Sequence, residues 1–225
     1  MMAVKLVIFD LDGTLLNTIA DLAAGVDYVL ERHNLPTHTL DEYRTMVGNG
    51  MRNLVRRALP DEMRNDDSVD SLLREFIEYY LQNIDSRTVP YQGIPELLES
   101  LQARGVKIAV ASNKVQAGTE RLVEKFFPGI VFSAVMGNCH GYPLKPDPAV
   151  VDHILEISGV SRNETVMVGD SDTDIQTAHN AGIICVAVTW GFRPRTDLAG
   201  ADCLASSVGE LKEMLERMEL LPDVF

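Results

Sequence analysis

Four short stretches of the 225-residue chain carry side chains that could act together in catalysis. Two of them are acidic: "DLDGT", which begins at Asp10, and "GDSDTD", which begins at Gly169. The other two are "SNK", which begins at Ser112, and "LKPDP", around Lys145. Between them they supply carboxylates, a hydroxyl, a lysine and main-chain donors. These are the groups that phosphoryl transfer requires.

The strand pattern predicts that the four stretches meet at one edge of a β-sheet. Apolar runs occur at "VKLVIF", "VKIAVA", "IVFSAVM", "TVMVG" and "IICVAV", with a weaker one at "ADCLAS". Continuous β-branched runs are typical of strands that are covered on both faces. Helix-period segments lie between the later runs, at 94–104, 116–127, 148–158 and 173–181. The alternation predicts an α/β fold with a mostly parallel, Rossmann-like sheet and helices on both faces.

The segment after the first strand departs from this alternation. From about Asn17 to Asn83 the pattern is helical throughout, with amphipathic spacing in "IADLAAGVDYVLERH" and "VDSLLREFIEYYLQNI". The breakers in "DSRTVPYQGIP" indicate a return linker. We therefore predict a core of residues 1–16 and 86–225 with an inserted α-helical cap of residues 17–85. The cap would lie over the carboxyl ends of the strands, where open α/β sheets bind ligands.

The four stretches resemble, in order, the four motifs of the haloacid dehalogenase superfamily of phosphohydrolases. The helical insertion resembles the α-helical cap subclass of that superfamily. Within it, "VGNGMRNLVRRAL" and "FDLDGTLLNTIADLAAGVDYVL" are most similar to phosphoglycolate phosphatases. The resemblance implies Mg²⁺-dependent hydrolysis of phosphomonoesters through an aspartyl-phosphate, with 2-phosphoglycolate as the favoured substrate and glycolate and phosphate as products.

The resemblance also implies a role for each acidic residue of the first motif. Asp10 would be the nucleophile that attacks phosphorus, and Asp12 would be the general acid that protonates the leaving alkoxide and later activates water. The Mg²⁺ ligands would be the Asp10 side chain, the Asp12 main-chain carbonyl and the Asp170 side chain. Thr14 would lie near the site.

The remaining motifs would hold the phosphoryl group. Ser112 and the main-chain N–H of Asn113 would donate hydrogen bonds to its oxygens. Lys145 would hold Asp10 and the phosphate and stabilise the charge of the transition state. Asp174 would anchor Lys145 or a metal-bound water.

The cap segment 48–52 offers candidates for recognition of the substrate. We expect a helix N-terminus there that faces the core and holds the carboxylate of the substrate. Its candidate groups are Gly48, Asn49, Gly50 and Arg52. An alternative is that Arg52, Arg56 and Arg57 form a solvated basic helix face. Trp190 either lines the mouth of the site or packs against the cap hinge.

Composition limits the partners of the protein. The net charge of −13 repels phosphate backbones, so we expect no nucleic-acid partner. No apolar run approaches the roughly 20 residues that cross a bilayer, and the start does not resemble a signal peptide. Cys139, Cys185 and Cys203 lie far apart and are typical of reduced, structural thiols. We expect a cytoplasmic monomer or homodimer that acts on a small phosphorylated metabolite, without a membrane partner.

Three other functions remain compatible with these residues. A sugar-phosphate mutase resembling β-phosphoglucomutase would share the core and the cap, and a pyrophosphatase is a further enzymatic alternative. A phospho-accepting receiver domain is the alternative from a different class, since it is also a parallel α/β domain with acids and a lysine. A receiver has no general acid two residues after its phosphorylated aspartate and no helical insertion there.

Overall fold

The computed structural model describes residues 4–139 and 141–220, and its core is a parallel β-sheet. The strands are β1 (Leu6–Phe9), β2 (Leu16–Asn17), β3 (Val89–Pro90), β4 (Lys107–Val115), β5 (Phe132–Asn138), β6 (Thr165–Gly169), β7 (Ile184–Val188) and β8 (Cys203–Ala205). The sheet order is β5-β4-β1-β6-β7-β8, and every neighbouring pair in it is parallel. The predicted mostly parallel sheet is therefore confirmed.

The helices form the insertion or accompany the later strands of the sheet. They are α1 (Ile19–Arg32), α2 (Leu40–Met46), α3 (Met51–Ala58), α4 (Asp66–Asn83), α5 (Ile94–Ala103), α6 (Gln116–Phe126), α7 (Ala149–Ser158), α8 (Asp172–Asn180) and α9 (Val208–Leu220). Helices α5 to α8 each begin and end within one residue of the segments predicted from periodicity. Among the described residues, no helix combines the length and apolar character needed to span a bilayer.

Successive side chains of β1 lie on opposite faces of the sheet, and each face packs against its own core cluster. Val7 and Phe9 belong to a core cluster that includes residues of α1, α4, α5, α6 and α9. Leu6 and Ile8 belong to a second cluster, with residues of α7 and α8. All four side chains are fully buried, which requires an apolar residue at every position of the strand.

Helices α1 to α4 lie between β2 and β3 and form the predicted helical insertion. Helix α1 packs on α4 through an apolar stripe, and Gly25 permits the close approach. A Cβ at Gly25 would lie only 2.8 Å from the ring of Phe76. The boundaries of the insertion as a separate domain stay a prediction.

A short antiparallel pair, β2 with β3, joins the two connections between the sheet and the insertion. Leu16 pairs with Pro90, and Asn17 pairs with Val89. The sequence did not predict this pair, because two residues are too few to show a period and proline is disfavoured in strands. Asp21 of α1 also links the insertion to the segment that returns to the sheet. Its carboxylate accepts hydrogen bonds from the main chain at Arg87 and Thr88, at 2.8–3.0 Å.

Candidate active site

The carboxyl ends of β4, β1 and β6, together with the loop between β5 and α7 that carries Lys145, bring the predicted core residues to one cavity of about 560 Å³, counting the open space at its mouth. Asp10 directly follows β1, and Asp170 directly follows β6. The core side of the cavity is lined by Asp10, Asp12, Ser112, Asn113, Lys145 and Asp170, and Asp174 also contributes. The cap side includes Gly48, Gly50 and Met51, so the insertion does cover this edge of the sheet.

Lys145 is buried between two carboxylates. Its Nζ lies 2.9 Å from Asp10 Oδ1 and 2.6 Å from Asp174 Oδ1. Burial by itself lowers the pKa of Lys145, but the charges and hydrogen bonds of Asp10 and Asp174 outweigh burial and raise that pKa. The lysine is therefore held as a cation against Asp10.

Three buried acids form the most charged part of the cavity. Asp10, Asp170 and Asp174 each offer one carboxylate oxygen, and these atoms lie within 4.8 Å of one another. Burial raises the pKa of Asp10 to about 7, with Lys145 opposing the shift and Asp174 adding to it. The pKa of Asp170 is also raised well above its usual value, by burial and by the charges of Asp10 and Asp174. Hard oxygen donors under mutual repulsion fit a divalent cation such as Mg²⁺, whose charge would offset that repulsion.

The hydrogen bonds of Asp174 separate its role from that of the other two acids. Its Oδ1 accepts from Lys145, and its Oδ2 accepts from the hydroxyl of Ser171 at 2.6 Å and from the Ser171 N–H at 3.1 Å. Both oxygens are thus engaged with the protein. In contrast, Asp10 Oδ2 accepts no hydrogen bond within the described part of the chain. This arrangement supports Asp174 as the anchor of Lys145.

Asp170 is held at the same edge by two neighbouring loops. Its Oδ2 accepts from the Phe192 N–H at 2.7 Å, and its Oδ1 accepts from the Thr14 hydroxyl at 3.3 Å. Gly13 must be glycine here, because its φ is +92° and a Cβ would lie 2.4 Å from Asp170 Oδ2. Thr14 therefore contacts an acid of the cluster and does not line the cavity itself.

Asn113 connects three parts of the site through its side chain. Its Oδ1 accepts from the Lys145 N–H at 2.9 Å, and its Nδ2 donates to the carbonyls of Lys145 and Gly48, at 3.0 and 3.3 Å. Ser112 is buried beside it, and its Oγ accepts from the N–H of Lys114 at 3.2 Å. From the sequence we expect only the main-chain N–H of Asn113 to act at the site. Its side-chain amide also positions the loop that carries Lys145.

Lys114 is a residue of the cavity for which the sequence predicted no role. Its Nζ lies 2.9 and 3.0 Å from the two carboxylate oxygens of Asp12. Its side chain is fully buried, and Nζ lies 4.8 Å from the ring centroid of Tyr80 on α4. The available signal was its place directly after Ser112 and Asn113 at the same strand end.

The structure does not place Arg52 at the cavity, contrary to the prediction that it faces the core. Its Nε donates to Asp70 at 2.7 Å and its Nη2 donates to Asp66 at 2.8 Å, and both acids are exposed side chains of α4. Arg56 also donates to Asp66, at 2.6 Å. The acids in the first turns of α4 supply nearer partners than the core does, so these two arginines form the alternative basic face. Arg57 instead bonds Asn49 Oδ1, at 2.7 Å.

The cation that does reach the cavity from a neighbouring loop is Arg193. Its Nη1 and Nη2 donate to the main-chain carbonyls of Arg44 and Val47, at 2.8 and 2.5 Å. Arg193 of the core therefore hydrogen-bonds to the end of α2 in the cap and also lines the cavity. Asn49 makes a parallel contact, since its side-chain amide donates to Thr173 Oγ1 at 2.9 Å. The side chain of Asn49 thus bonds to α8 of the core.

Trp190 lies against the hinge. Its Nε1 donates to the carbonyl of Thr14 at 3.2 Å, and its ring centroid lies 6.4 Å from that of Tyr91, just after β3. It is absent from the lining of the cavity described above. Of its two interpretations, packing at the cap hinge is therefore the one that the structure favours.

Comparison with known protein families decides the relationship of the chain. The model of the haloacid dehalogenase-like hydrolases matches residues 7–188. The chain belongs to this family. As a haloacid dehalogenase-like hydrolase it is an enzyme, and the receiver-domain alternative is set aside.

Relatives of this hydrolase carry phosphatase names. A phosphoglycolate phosphatase of Pseudomonas savastanoi pv. phaseolicola is 33% identical over 229 residues, which span 98% of this chain and 84% of that protein. A phosphoglycolate phosphatase of Mesorhizobium japonicum is 34% identical over 196 residues and 86% of each protein. Among solved structures, a predicted phosphoglycolate phosphatase from Haemophilus somnus has a TM-score of 0.86 and 30% identity, and the match covers 95% of this chain and 99% of that one. The predicted enzyme class, a phosphatase, is confirmed.

Proposed function

We propose that this haloacid dehalogenase-like phosphatase hydrolyses phosphomonoesters with Mg²⁺ through an aspartyl-phosphate, and that 2-phosphoglycolate is its favoured substrate. The observation that carries the proposal is the buried pair of Asp10 and Lys145 beside Asp170, at the end of β1. A carboxylate with one oxygen held by a lysine and the other unengaged is suited to attack on phosphorus.

The residues of this chain divide the chemistry between them. Asp10 Oδ2 forms the bond to phosphorus as the bond to the ester oxygen breaks, and Asp12 gives a proton to the departing alkoxide. Water then attacks the aspartyl-phosphate, gives a proton to Asp12, and releases phosphate and free Asp10. Lys145, the Ser112 hydroxyl and the Asn113 N–H stabilise the charge on the phosphoryl oxygens.

The metal ligands proposed here are the side chains of Asp10 and Asp170 and the main-chain carbonyl of Asp12. When bound, Mg²⁺ supplies positive charge for the carboxylates and the phosphate together. Asp174 stays with Lys145, because both of its oxygens are already engaged. Thr14 helps to hold Asp170.

The cap side of the cavity supports a small substrate with a second anionic group. Gly50 and Met51 place the N-terminus of α3 at the cavity, where main-chain N–H groups and the helix dipole favour an anion. Arg193 lies on the same side and adds a cation. The proposed place of the substrate carboxylate is therefore between Gly48, the α3 N-terminus and Arg193. The names of the relatives support the same substrate.

A phosphate-release assay tests the proposed function. The purified chain with Mg²⁺ is expected to release phosphate from 2-phosphoglycolate with a higher kcat/KM than from glucose phosphates or pyrophosphate. Removal of the metal with a chelator should abolish release, and added Mg²⁺ should restore it. A clear preference for a sugar phosphate or for pyrophosphate would contradict the substrate, and release undiminished by the chelator would contradict the role of the metal.

The arginines provide a matched pair for the carboxylate site. We expect Arg193→Met to raise KM for 2-phosphoglycolate about 10-fold, because a charge-assisted hydrogen bond is lost. Its effect on the KM for ethylene glycol phosphate, which has a neutral hydroxymethyl group in place of the carboxylate, should be smaller, because only the loss of the contacts with Arg44 and Val47 applies to that substrate. Arg52→Met is the matched variant, and the ion pairs of Arg52 predict no change in either KM. The reverse result would assign the carboxylate to Arg52.

A further inference from the structure

The buried ammonium of Lys114 has a set of contacts that the proposed chemistry does not use. Two of its contacts are with the oxygens of Asp12, at 2.9 and 3.0 Å. The third is with the face of Tyr80, whose ring centroid lies 4.8 Å from Nζ. An ammonium has three N–H donors and no acceptor, so these contacts account for its full capacity.

Burial makes these contacts strong. The Lys114 side chain is fully buried and that of Asp12 is 14% exposed, so water screens the pair little. A buried charge is tolerated only with good partners, and an aromatic face attracts a desolvated cation more than an exposed one. Lys114 is therefore held firmly in one place.

The two buried lysines of the cavity serve different aspartates. Lys145 contacts Asp10 and Asp174, whereas Lys114 contacts Asp12. A carboxylate that must transfer a proton to a leaving oxygen has to be held in the correct orientation, since small misplacements cost large factors in rate. Lys114 contacts both oxygens of the ionised Asp12 carboxylate and thereby restricts its rotation. When Asp12 carries the proton for the leaving oxygen, one of its oxygens bears that proton and the other still accepts from Lys114.

The Tyr80 ring adds a connection to the cap. Tyr80 lies on α4, within the insertion, while Lys114 lies at the end of β4 in the core. The contact between the Lys114 ammonium and the Asp12 carboxylate therefore depends on the position of α4 relative to the core.

We propose that Lys114 is a positioning residue for Asp12, and that the ring of Tyr80 keeps the Lys114 ammonium on that carboxylate when the cap covers the site. The inference rests on the proposed function, because it requires Asp12 to act as the general acid. Lys114 acts through Asp12 and does not contact the phosphoryl group.

The test uses the leaving group as its readout. Alkyl phosphates need a proton on the departing oxygen, whereas p-nitrophenolate leaves without one, and kcat/KM reports the steps up to this departure. For Lys114→Met we expect a loss of about 10- to 100-fold in kcat/KM for 2-phosphoglycolate and for ethylene glycol phosphate. For p-nitrophenyl phosphate the expected loss is no more than about 3-fold.

A double variant separates positioning from a general structural effect. Because Lys114 acts through Asp12, Lys114→Met should cost no further activity on alkyl phosphates in the Asp12→Asn background. Tyr80→Leu removes the aromatic face and should give a smaller loss, about 3- to 10-fold, confined to the alkyl phosphates. This variant keeps the inference testable if Lys114→Met does not fold, as judged by circular dichroism.

Lys125 supplies a matched control. Its ammonium lies 2.9 Å from Asp85 and 5.5 Å from the ring of Phe126, but its side chain is 48% exposed on α6. Lys125→Met should leave all three kcat/KM values unchanged.

The outcomes distinguish this inference from the proposed function. Equal losses on alkyl and aryl phosphates, or multiplicative losses in the double variant, would overturn the positioning role while the wild-type activity stands. A loss restricted to 2-phosphoglycolate would also overturn it, because Lys114 would then bind the substrate carboxylate. Wild-type activity on ethylene glycol phosphate but not on 2-phosphoglycolate would remove the proposed substrate and leave the Lys114 comparison valid. A wild-type chain inactive on all three would overturn both.

Discussion

Asp10→Asn is expected to reduce turnover by about 10⁴-fold or more, because the amide oxygen cannot form the aspartyl-phosphate. The substitution nearly preserves the size of the side chain, and its oxygen can still accept from Lys145. It also removes one charge from the three acids that lie within 4.8 Å of one another. The folded protein should therefore be as stable as the wild type or more stable.

Phosphate release and thermal unfolding check the two halves of this prediction. Release is measured with 2-phosphoglycolate and p-nitrophenyl phosphate, and both should fall to the background rate. Asp172→Asn is the matched control, since Asp172 follows Asp170 in the same motif but its side chain is exposed. Near-normal release by Asp10→Asn would reject Asp10 as the nucleophile. A large fall in melting temperature would mean that lost activity reflects lost structure.

Asp12→Asn is expected to lower kcat/KM for alkyl phosphates by about 10²- to 10³-fold, because no proton is supplied to the leaving oxygen. For p-nitrophenyl phosphate the loss in kcat/KM should be no more than about 10-fold, since its leaving group is stable as an anion. The steady-state kcat should fall for both substrates, because the same residue activates the water that releases phosphate.

The ratio of the two kcat/KM values is the decisive measurement. This ratio does not depend on the concentration of active enzyme, so partial unfolding that lowers both activities equally leaves it unchanged. An equal loss on alkyl and aryl phosphates would contradict Asp12 as the general acid. Comparison with Lys114→Met then shows how much of the loss arises from orientation alone.

The fold could be predicted because its signals are local and continuous. The run before Asp10 is apolar at every position, as a strand covered on both faces requires, and β1 is fully buried. Helix periods placed α5 to α8 within one residue of their observed limits. The pairing of β2 with β3 was missed because neither two-residue segment carries a period and one of them contains Pro90.

The candidate site was predictable where parallel strands end. Asp10, Ser112, Lys145 and Asp170 each follow or end a strand-like run, and the parallel sheet brings these ends together. Arg52 shows where this reasoning stops. Arg52 lies on the predicted cap helix, but its side chain forms ion pairs with Asp66 and Asp70 in the first turns of α4. The local sequence around Arg52 does not show that α4 packs beside it.

The sequence by itself determined the sheet, the helical insertion and the set of acids, hydroxyl and lysine at the strand ends. Apolar runs, helix periods and the order of the motifs along the chain carry this information, and all of these are local signals. Only the tertiary structure decided which cations serve the cavity. Lys114 meets Asp12 across 102 positions of sequence, and Arg193 meets the end of α2 across 146 or more. Such contacts depend on how α4 and the loop after β7 pack against the core. No local pattern records that packing, so the roles of these two residues became visible only in three dimensions.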